Sequence, residues 1–244
     1  MAIWTRRQIA KTVDHAALKP NMTDRDIQEQ CELGRKFAAK SVCVRPSGVP
    51  LATKLLAGCE TVVSVVIGFP HGANKPETKA LEAKLAIEDG AKELDMVMNI
   101  GKFLSGDFDW GKRDIEAVVA KAKPKGVLVK VIFGTCFLKP DEIKKACEIV
   151  RDAGAGFVKT STGFADGSAT PEAIDMNDEN GRRQYGRQGV RRRAFPCDCL
   201  RIPRSGLHTP RLRRRHGGNP RKRPGIRRRI LMNCGRHPQC CDHK

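Results

Sequence analysis

Six short apolar runs, each followed by a helical pattern, constrain the fold of this chain more than any other feature of its sequence. The runs cover residues 12–14, 41–44, 61–67, 93–100, 127–133 and 157–159. Because they are almost continuously apolar, they are typical of strands in a parallel sheet that is covered by helices or closed into a barrel. The main helical patterns between them cover residues 23–39, 51–57, 77–89, 109–121 and 141–152.

Strands and helices alternate at a spacing that fits either a (β/α)8 barrel or a doubly wound sheet. The Gly-x-Gly-x-x-Gly turn of the dinucleotide-binding doubly wound sheet does not follow the first strand. A barrel runs to about 250 residues, and this chain has 244. The sequence therefore predicts an α/β fold of the (β/α)8 (TIM) barrel type.

The formal net charge of +19 is concentrated near the end of the chain. Residues 1–174 contain 26 lysines and arginines against 22 acidic residues, whereas residues 175–244 contain 20 against 5. The arginine runs of this tail could bind RNA or another polyanion, and its five cysteines could hold zinc. However, the tail has no Cys-x2-Cys pair and few aromatic residues to stack on bases. We therefore expect no specific nucleic-acid partner and no metal.

Cysteine usage and hydropathy predict the compartment. No apolar stretch approaches the about 18 residues of a membrane span, and no signal-type apolar region follows Met1. The cysteines before the tail occur singly in apolar or helical contexts, as reduced thiols do in cytosolic enzymes. These are Cys31, Cys43, Cys59, Cys136 and Cys147. The sequence predicts a cytoplasmic protein without a membrane partner.

Lys159 ends the last apolar run, and three small hydroxyl residues and Gly163 follow it. Burial against an apolar core disfavours the charged form of a lysine, and the free amine is a nucleophile that forms Schiff bases with carbonyls. Backbone N–H groups beside a glycine can approach a phosphate closely. The alternative is a strand-end lysine whose ammonium group reaches solvent.

Two charged residues, Asp95 and Lys130, interrupt other apolar runs. An isolated buried charge is costly, so each of them needs a partner. Adjacent strands would join them, either as a structural ion pair or, beside Lys159, as a proton relay. In the loop after the third strand, His71 is either a ligand or base or simply solvated, and Asp14-His15 would help to shape the floor of the pocket.

Six motifs resemble the deoxyribose-phosphate aldolase family of class I, Schiff-base aldolases, in the order of that family. They are TVDH at 12–15, SVCV at 41–44, GFPHG at 68–72, LDMVMNIG at 94–101, LVKVI at 128–132 and FVKTSTGF at 157–164. The resemblance implies a (β/α)8 barrel that reversibly cleaves 2-deoxy-D-ribose 5-phosphate to glyceraldehyde 3-phosphate and acetaldehyde. It also implies that the reaction needs no metal or other cofactor, and that the intact family form is a homodimer.

The resemblance also assigns roles to individual residues. It makes Lys159 the Schiff-base lysine, Asp95 the proton-transfer carboxylate and Lys130 the charge partner of Asp95. Gly163 becomes part of the phosphate-binding site. The alternatives are another Schiff-base phosphosugar aldolase and an inactive barrel remnant with a tail that binds polyanions.

The seventh and eighth strands expected from this family cannot be recognised after residue 176. The seventh would carry a second lysine in a segment such as V-K-A-S-G-G-V-R. Codons compatible with residues 177–194, translated one nucleotide later, can spell that segment, and the same shift at residues 204–211 can spell E-A-G-S-T-R-L-G. We therefore expect one extra nucleotide near residue 177. Residues 1–176 would form a partial aldolase barrel of about six βα units, and residues 177–244 an out-of-frame, disordered tail.

Overall fold

The computed structural model describes residues 5–165, and their six strands form one parallel sheet in chain order. The strands are β1 (Asp14–Ala17), β2 (Ser41–Val44), β3 (Val62–Ile67), β4 (Glu93–Val97), β5 (Leu128–Ile132) and β6 (Phe157–Lys159). Every strand pairs in parallel with the next one along the chain. This order confirms the predicted succession of βα units, whereas the predicted tail at 177–244 lies outside the described residues.

Seven α-helices belong to the described part of the chain. They are α1 (Arg6–Ala10), α2 (Asp24–Phe37), α3 (Val49–Leu55), α4 (Pro76–Glu88), α5 (Ile100–Leu104), α6 (Phe108–Ala122) and α7 (Pro140–Asp152). As predicted, Thr23 caps α2, and its hydroxyl accepts a hydrogen bond from the backbone N–H of Asp26. None of the helices between residues 5 and 165 has the length and apolar character needed to span a membrane.

Two predicted strand boundaries were wrong. Hydrogen bonds of a helix cap end β4 earlier than predicted, and those of a turn make β1 begin later than predicted. The fourth strand was predicted over 93–100, but it ends at Val97. The side chain of Asn99 accepts a hydrogen bond from the N–H of Lys102 and caps α5, a short helix that was not predicted. The first strand begins at Asp14 rather than at residue 12, because the N–H of Thr12 closes a turn on the carbonyl of Ile9 at the end of α1.

The two faces of the sheet differ in character. One face carries apolar residues that join the buried cluster formed with the helices, including Val42, Val65, Leu94 and Val131. The alternate positions face the concave interior and include the polar or charged residues Ser41, Ser64, Glu93, Asp95 and Lys130, all of them buried. Successive residues of a strand point to opposite faces, so one strand supplies both the core and the interior. The interior face is mixed, because the buried residues Val66, Val97 and Ile132 lie on it as well, so most strand positions are apolar, as predicted.

Ion pairs across the interior show how strongly the sheet curves. In a flat sheet β1 and β5 would lie four strand spacings apart, roughly 19 Å. Yet the Nζ of Lys130 on β5 is 2.6 Å from the Oδ2 of Asp14 on β1. The described strands therefore form a curled, incomplete barrel, which is the fold that the sequence predicted.

Gly72 lies in the loop after β3, where this loop packs against the end of β4. It has a φ of +68°, and a Cβ built on it would lie 2.1 Å from the carbonyl oxygen of Met98. Gly58 has a similar φ of +73° but no heavy atom within 4 Å of such a Cβ. The two glycines thus share the left-handed conformation and differ in the space around them.

We predict that Gly58→Ala lowers the free energy of unfolding by about 1–2 kcal/mol, the cost of a left-handed alanine. Gly72→Ala should cost more than about 3 kcal/mol, because the backbone of Met98 must also move. Urea denaturation of the two variants and the unaltered chain measures both costs. Equal costs would show that the loop after β3 does not pack against β4 as described.

Candidate active site

Lys159 is the last residue of β6 and lies on the interior face of the sheet. Only 8% of the residue is exposed. Its Nζ lies 2.5 Å from the Oδ2 of Asp95 and 3.8 Å from the Oδ2 of Asp14. The ammonium group is therefore inside the partial barrel, and the alternative of a strand-end lysine that reaches solvent is wrong.

Asp95, on β4, lies between the two interior lysines and is 1% exposed. Its Oδ1 is 3.3 Å from the Nζ of Lys130 and accepts a hydrogen bond of 3.2 Å from the hydroxyl of Ser64. Burial alone would raise the pKa of this carboxyl group, but Lys130 and Lys159 together hold it below its usual value. The sequence predicted that Asp95 and Lys130 would meet, and the register of β4 and β5 places them side by side.

Lys130 is held by carboxylates from two different strands. Its Nζ lies 2.6 Å from both Asp14 on β1 and Glu93 on β4, in addition to its contact with Asp95. Burial by itself would lower the pKa of Lys130, but Asp95, Asp14 and Glu93 raise it well above its ordinary value. Lys130 is therefore a permanent cation rather than a group that exchanges protons near neutral pH.

Sequence reasoning missed Glu93 and understated Asp14. Glu93 precedes Asp95 by two positions on β4, and this spacing places both carboxylates on the same face of a strand. That alternation was the available signal. Asp14 was expected only to shape the floor of the pocket, but it contacts both Lys130 and Lys159. No pattern within β1 could have revealed these contacts, because they join strands that are more than a hundred residues apart.

The remaining candidates lie at different distances from this cluster. Cys43 is buried, with its Sγ 3.9 Å from the Oδ2 of Asp95, and burial together with the Asp95 charge raises the pKa of its thiol.

His71 is exposed in the loop after β3. The Nε2 of His15 lies 2.7 Å from the Oε1 of Gln30 on α2, outside the cluster. Among residues 5–165, no group of three or more His, Cys, Asp or Glu residues could hold a metal ion.

The loops that follow β3 and β6 meet at the carboxyl end of the sheet. The rings of Phe69 and Phe164 pack edge to face with centroids 5.2 Å apart. Gly163 has a φ of +79°, and no heavy atom of the described residues lies within 4 Å of a Cβ built on it. The hydroxyl oxygens of Thr160 and Ser161 are buried next to Lys159 without a hydrogen-bond partner in the described part of the chain. This end of the sheet thus combines open space with unsatisfied polar groups.

Residues 8–185 match the model of the DeoC/LacD family aldolases. The chain belongs to this family. It is 54% identical over 168 residues to the deoxyribose-phosphate aldolase of Listeria innocua. The aligned residues cover 69% of this chain and 75% of that protein.

Two solved structures support the same assignment. The fold is similar to that of a protein from Coccidioides immitis proposed to be a deoxyribose-phosphate aldolase, with a TM-score of 0.73 and 34% identity over 76% of this chain and 73% of that one. It is also similar to the tetrameric deoxyribose phosphate aldolase of Aeropyrum pernix, with a TM-score of 0.69 and 26% identity over 74% of this chain and 75% of that one. The family resemblance and the barrel fold predicted from sequence are confirmed.

We predict that Lys130→Met destabilises the aldolase by about 3–5 kcal/mol at pH 7, because three buried carboxylates lose their common cation. Without Lys130 the pKa of Asp95 should rise, because Lys159 alone then opposes the effect of burial, so the destabilisation should be smaller at pH 4 than at pH 7. Urea denaturation at pH 7 and pH 4 measures this difference.

The control for this prediction is Lys102→Met, which removes an ion pair to Asp107 whose two side chains are about half and two-fifths exposed. It should cost less than about 1 kcal/mol at either pH. If Lys130→Met costs the same at both pH values, Lys130 does not hold Asp95 in its charged form.

Proposed function

We propose that this chain descends from a deoxyribose-phosphate aldolase and carries the groups for retro-aldol cleavage of 2-deoxy-D-ribose 5-phosphate to glyceraldehyde 3-phosphate and acetaldehyde. The observation that carries the proposal is the 2.5 Å contact between Lys159 Nζ and Asp95 Oδ2 inside the curled sheet. A buried lysine amine forms a Schiff base once it has lost its proton, and the adjacent carboxylate is placed to accept that proton. The family and the substrate named for the Listeria relative support the same reaction.

In the proposed mechanism Lys159 gives up a proton before it reacts, because only the free amine attacks a carbonyl. Asp95 is the nearest acceptor for that proton. The amine then adds to the aldehyde carbon of the open-chain sugar, and loss of water, with return of the proton from Asp95, gives a protonated imine. Removal of the proton from the C3 hydroxyl breaks the C2–C3 bond and releases glyceraldehyde 3-phosphate. Protonation of the resulting enamine at C2 and hydrolysis of the imine release acetaldehyde and restore Lys159.

Lys130 serves this cycle as a fixed charge. As a permanent cation held by Asp14 and Glu93, it keeps Asp95 ionised in the resting site. A second cation also disfavours the ammonium form of a neighbouring lysine by like-charge repulsion. We assign Lys130 to electrostatic support and Asp95 to proton transfer.

The carboxyl end of the sheet offers partners for a phosphorylated, hydroxylated substrate. The open space at Gly163 leaves room for a phosphate beside the backbone, which is the role that we propose for this residue. Buried hydroxyls without a partner are costly, and those of Thr160 and Ser161 would be satisfied by substrate hydroxyls. We propose that the reaction uses no metal or cofactor.

We further propose that residues 177–244 are translated in a shifted frame, as the two family-like segments of the alternative frame suggest. Deleting one nucleotide near codon 177 would then give a frame-restored protein with the second lysine in place. For that form we propose a homodimer in the cytoplasm. The Aeropyrum pernix relative is an oligomer as well, since it forms a tetramer.

The proposed role of Lys159 is tested by trapping the imine in the frame-restored protein. Incubation with acetaldehyde and borohydride, followed by peptide mapping, should place the adduct on Lys159. Asp95→Asn should keep this lysine in place but reduce turnover by ~10²–10⁴-fold, the usual range for a proton-transfer group. An adduct on another lysine, or full turnover by Lys159→Ala, would refute the assignment.

The unaltered 244-residue chain should show little or no turnover of 2-deoxy-D-ribose 5-phosphate. Residues 177–244 contain neither a V-K-A-S-G-G-V-R segment nor the periodic apolar residues of two further barrel strands. Steady-state assays of the unaltered and frame-restored proteins, at equal concentration, measure the difference. Near-normal turnover by the unaltered chain would contradict the shifted-frame proposal.

A further inference from the structure

A second buried ion pair lies in the helical layer, outside the interior cluster. Lys79 on α4 and Asp114 on α6 are both 0% exposed, and the Lys79 Nζ is 2.6 Å from the Asp114 Oδ2. Neither residue contacts a group that the proposed mechanism uses. Fully buried lysines are rare, so this pair requires an explanation.

The Lys79 ammonium group also donates a hydrogen bond of 2.8 Å to the carbonyl oxygen of Val97. Val97 is the last residue of β4 and follows Asp95 by two positions. It lies one residue beyond the last register pair between β3 and β4, which is Ile67 with Met96. At this point Lys79 supplies a donor to the backbone of β4 where the pairing with β3 has ended.

Helix α4 holds the end of β3 in a similar way. The Glu82 carboxylate accepts a hydrogen bond of 2.7 Å from the backbone N–H of Gly68, the first residue after β3. The stem of Lys79 packs tightly on the same glycine, because a Cβ built on Gly68 would lie 2.7 Å from the Lys79 Cε. One turn of α4 therefore contacts the ends of two neighbouring strands, β3 and β4.

Energetics argue against stability as the purpose of the pair. Burial lowers the pKa of Lys79 and raises that of Asp114, although each partner opposes the shift of the other. Buried ion pairs of this kind contribute little more to stability than two apolar residues of similar volume. What an apolar pair could not supply is the hydrogen bond to the Val97 carbonyl.

We propose that Lys79 and Asp114 are positioning residues for the aldolase reaction. Asp114 orients the Lys79 ammonium, and Lys79 fixes the end of β4 through the Val97 carbonyl. This contact holds Asp95 where it can exchange a proton with Lys159. The inference rests on the proposed function, because it presumes that the geometry of Asp95 and Lys159 matters for imine formation.

The test compares Lys79→Met and the double variant Lys79→Met/Asp114→Leu in the full 244-residue chain. Lys79→Met leaves the Asp114 charge buried without its cation and is expected to be unstable. The double variant removes both charges and should regain most of the stability, but it cannot bond to Val97. If the pair is purely structural, the double variant should keep both the stability and the reactivity of Lys159. If the pair positions Asp95, the double variant should keep the stability but lose reactivity at Lys159.

The first readout is the rate at which acetaldehyde and cyanoborohydride alkylate Lys159, followed by peptide mass spectrometry. The amine and aldehyde form an imine with loss of water, and hydride from cyanoborohydride reduces it to ethyl-lysine, so complete turnover is not needed. We expect alkylation of Lys159 in the double variant to be slower by at least about fivefold, since small misplacements of reacting groups are costly. A smaller effect in a double variant of restored stability overturns the proposal.

The second readout is hydrogen exchange of the Met98 amide, which follows Val97 and donates to the carbonyl of Ile132. This amide should exchange faster in the double variant than in the unaltered chain. An unchanged exchange rate overturns the proposal whatever the alkylation rate of Lys159. If Lys159 of the frame-restored protein reacts no faster than the exposed Lys102, the Schiff-base role fails, and Met98 exchange alone then decides the positioning role. Lys102→Met, the control, should leave both readouts within about twofold of the unaltered chain.

Discussion

Burial of charge inside the curled sheet is the constraint on which the rest of the described structure depends. Asp14, Glu93 and Asp95 surround Lys130, and each would be costly to bury without a cation nearby. Lys159 and the half-exposed Lys40, which is 2.9 Å from Glu93, bring the cluster to three carboxylates and three ammonium groups among residues 5–165. The cluster can form only if β1 curves round to β5, so the charges and the curvature of the sheet require each other.

The two faces of the sheet have different roles: the outward face contributes to stability, and the inward face carries the proposed reactive groups. The outward residues pack with the helices into one apolar cluster, which supplies the favourable free energy of burial. The inward face carries the polar and charged residues, among them Asp95, Lys130 and Lys159, on side chains that project from the strands. A site built on strands is more precise than one built on loops, which suits a reaction that depends on proton transfer between Lys159 and Asp95. The pair of Lys79 and Asp114 links the two layers at the end of β4.

The family assignment and the charge distribution of the chain refer to different segments. The match to the DeoC/LacD aldolases covers residues 8–185, while most of the excess positive charge lies in residues 175–244. A strongly basic composition would ordinarily suggest a nucleic-acid partner. In this chain the groups proposed for catalysis all precede residue 165, so the basic composition and the proposed chemistry belong to different segments of the sequence.

The sequence by itself determined the order of strands and helices, because hydrophobic periodicity and helix caps are local signals. It also identified Lys159, Asp95 and Lys130, because a charged residue within or at the end of an apolar run can be recognised from the sequence alone. Only the tertiary structure decided that Asp14 and Glu93 join them, and that β4 stops at Val97 while Lys79 reaches its end. These contacts join residues far apart in the chain through the curvature of the sheet and the packing of α4. Curvature and packing are properties of the assembled fold that no local pattern encodes.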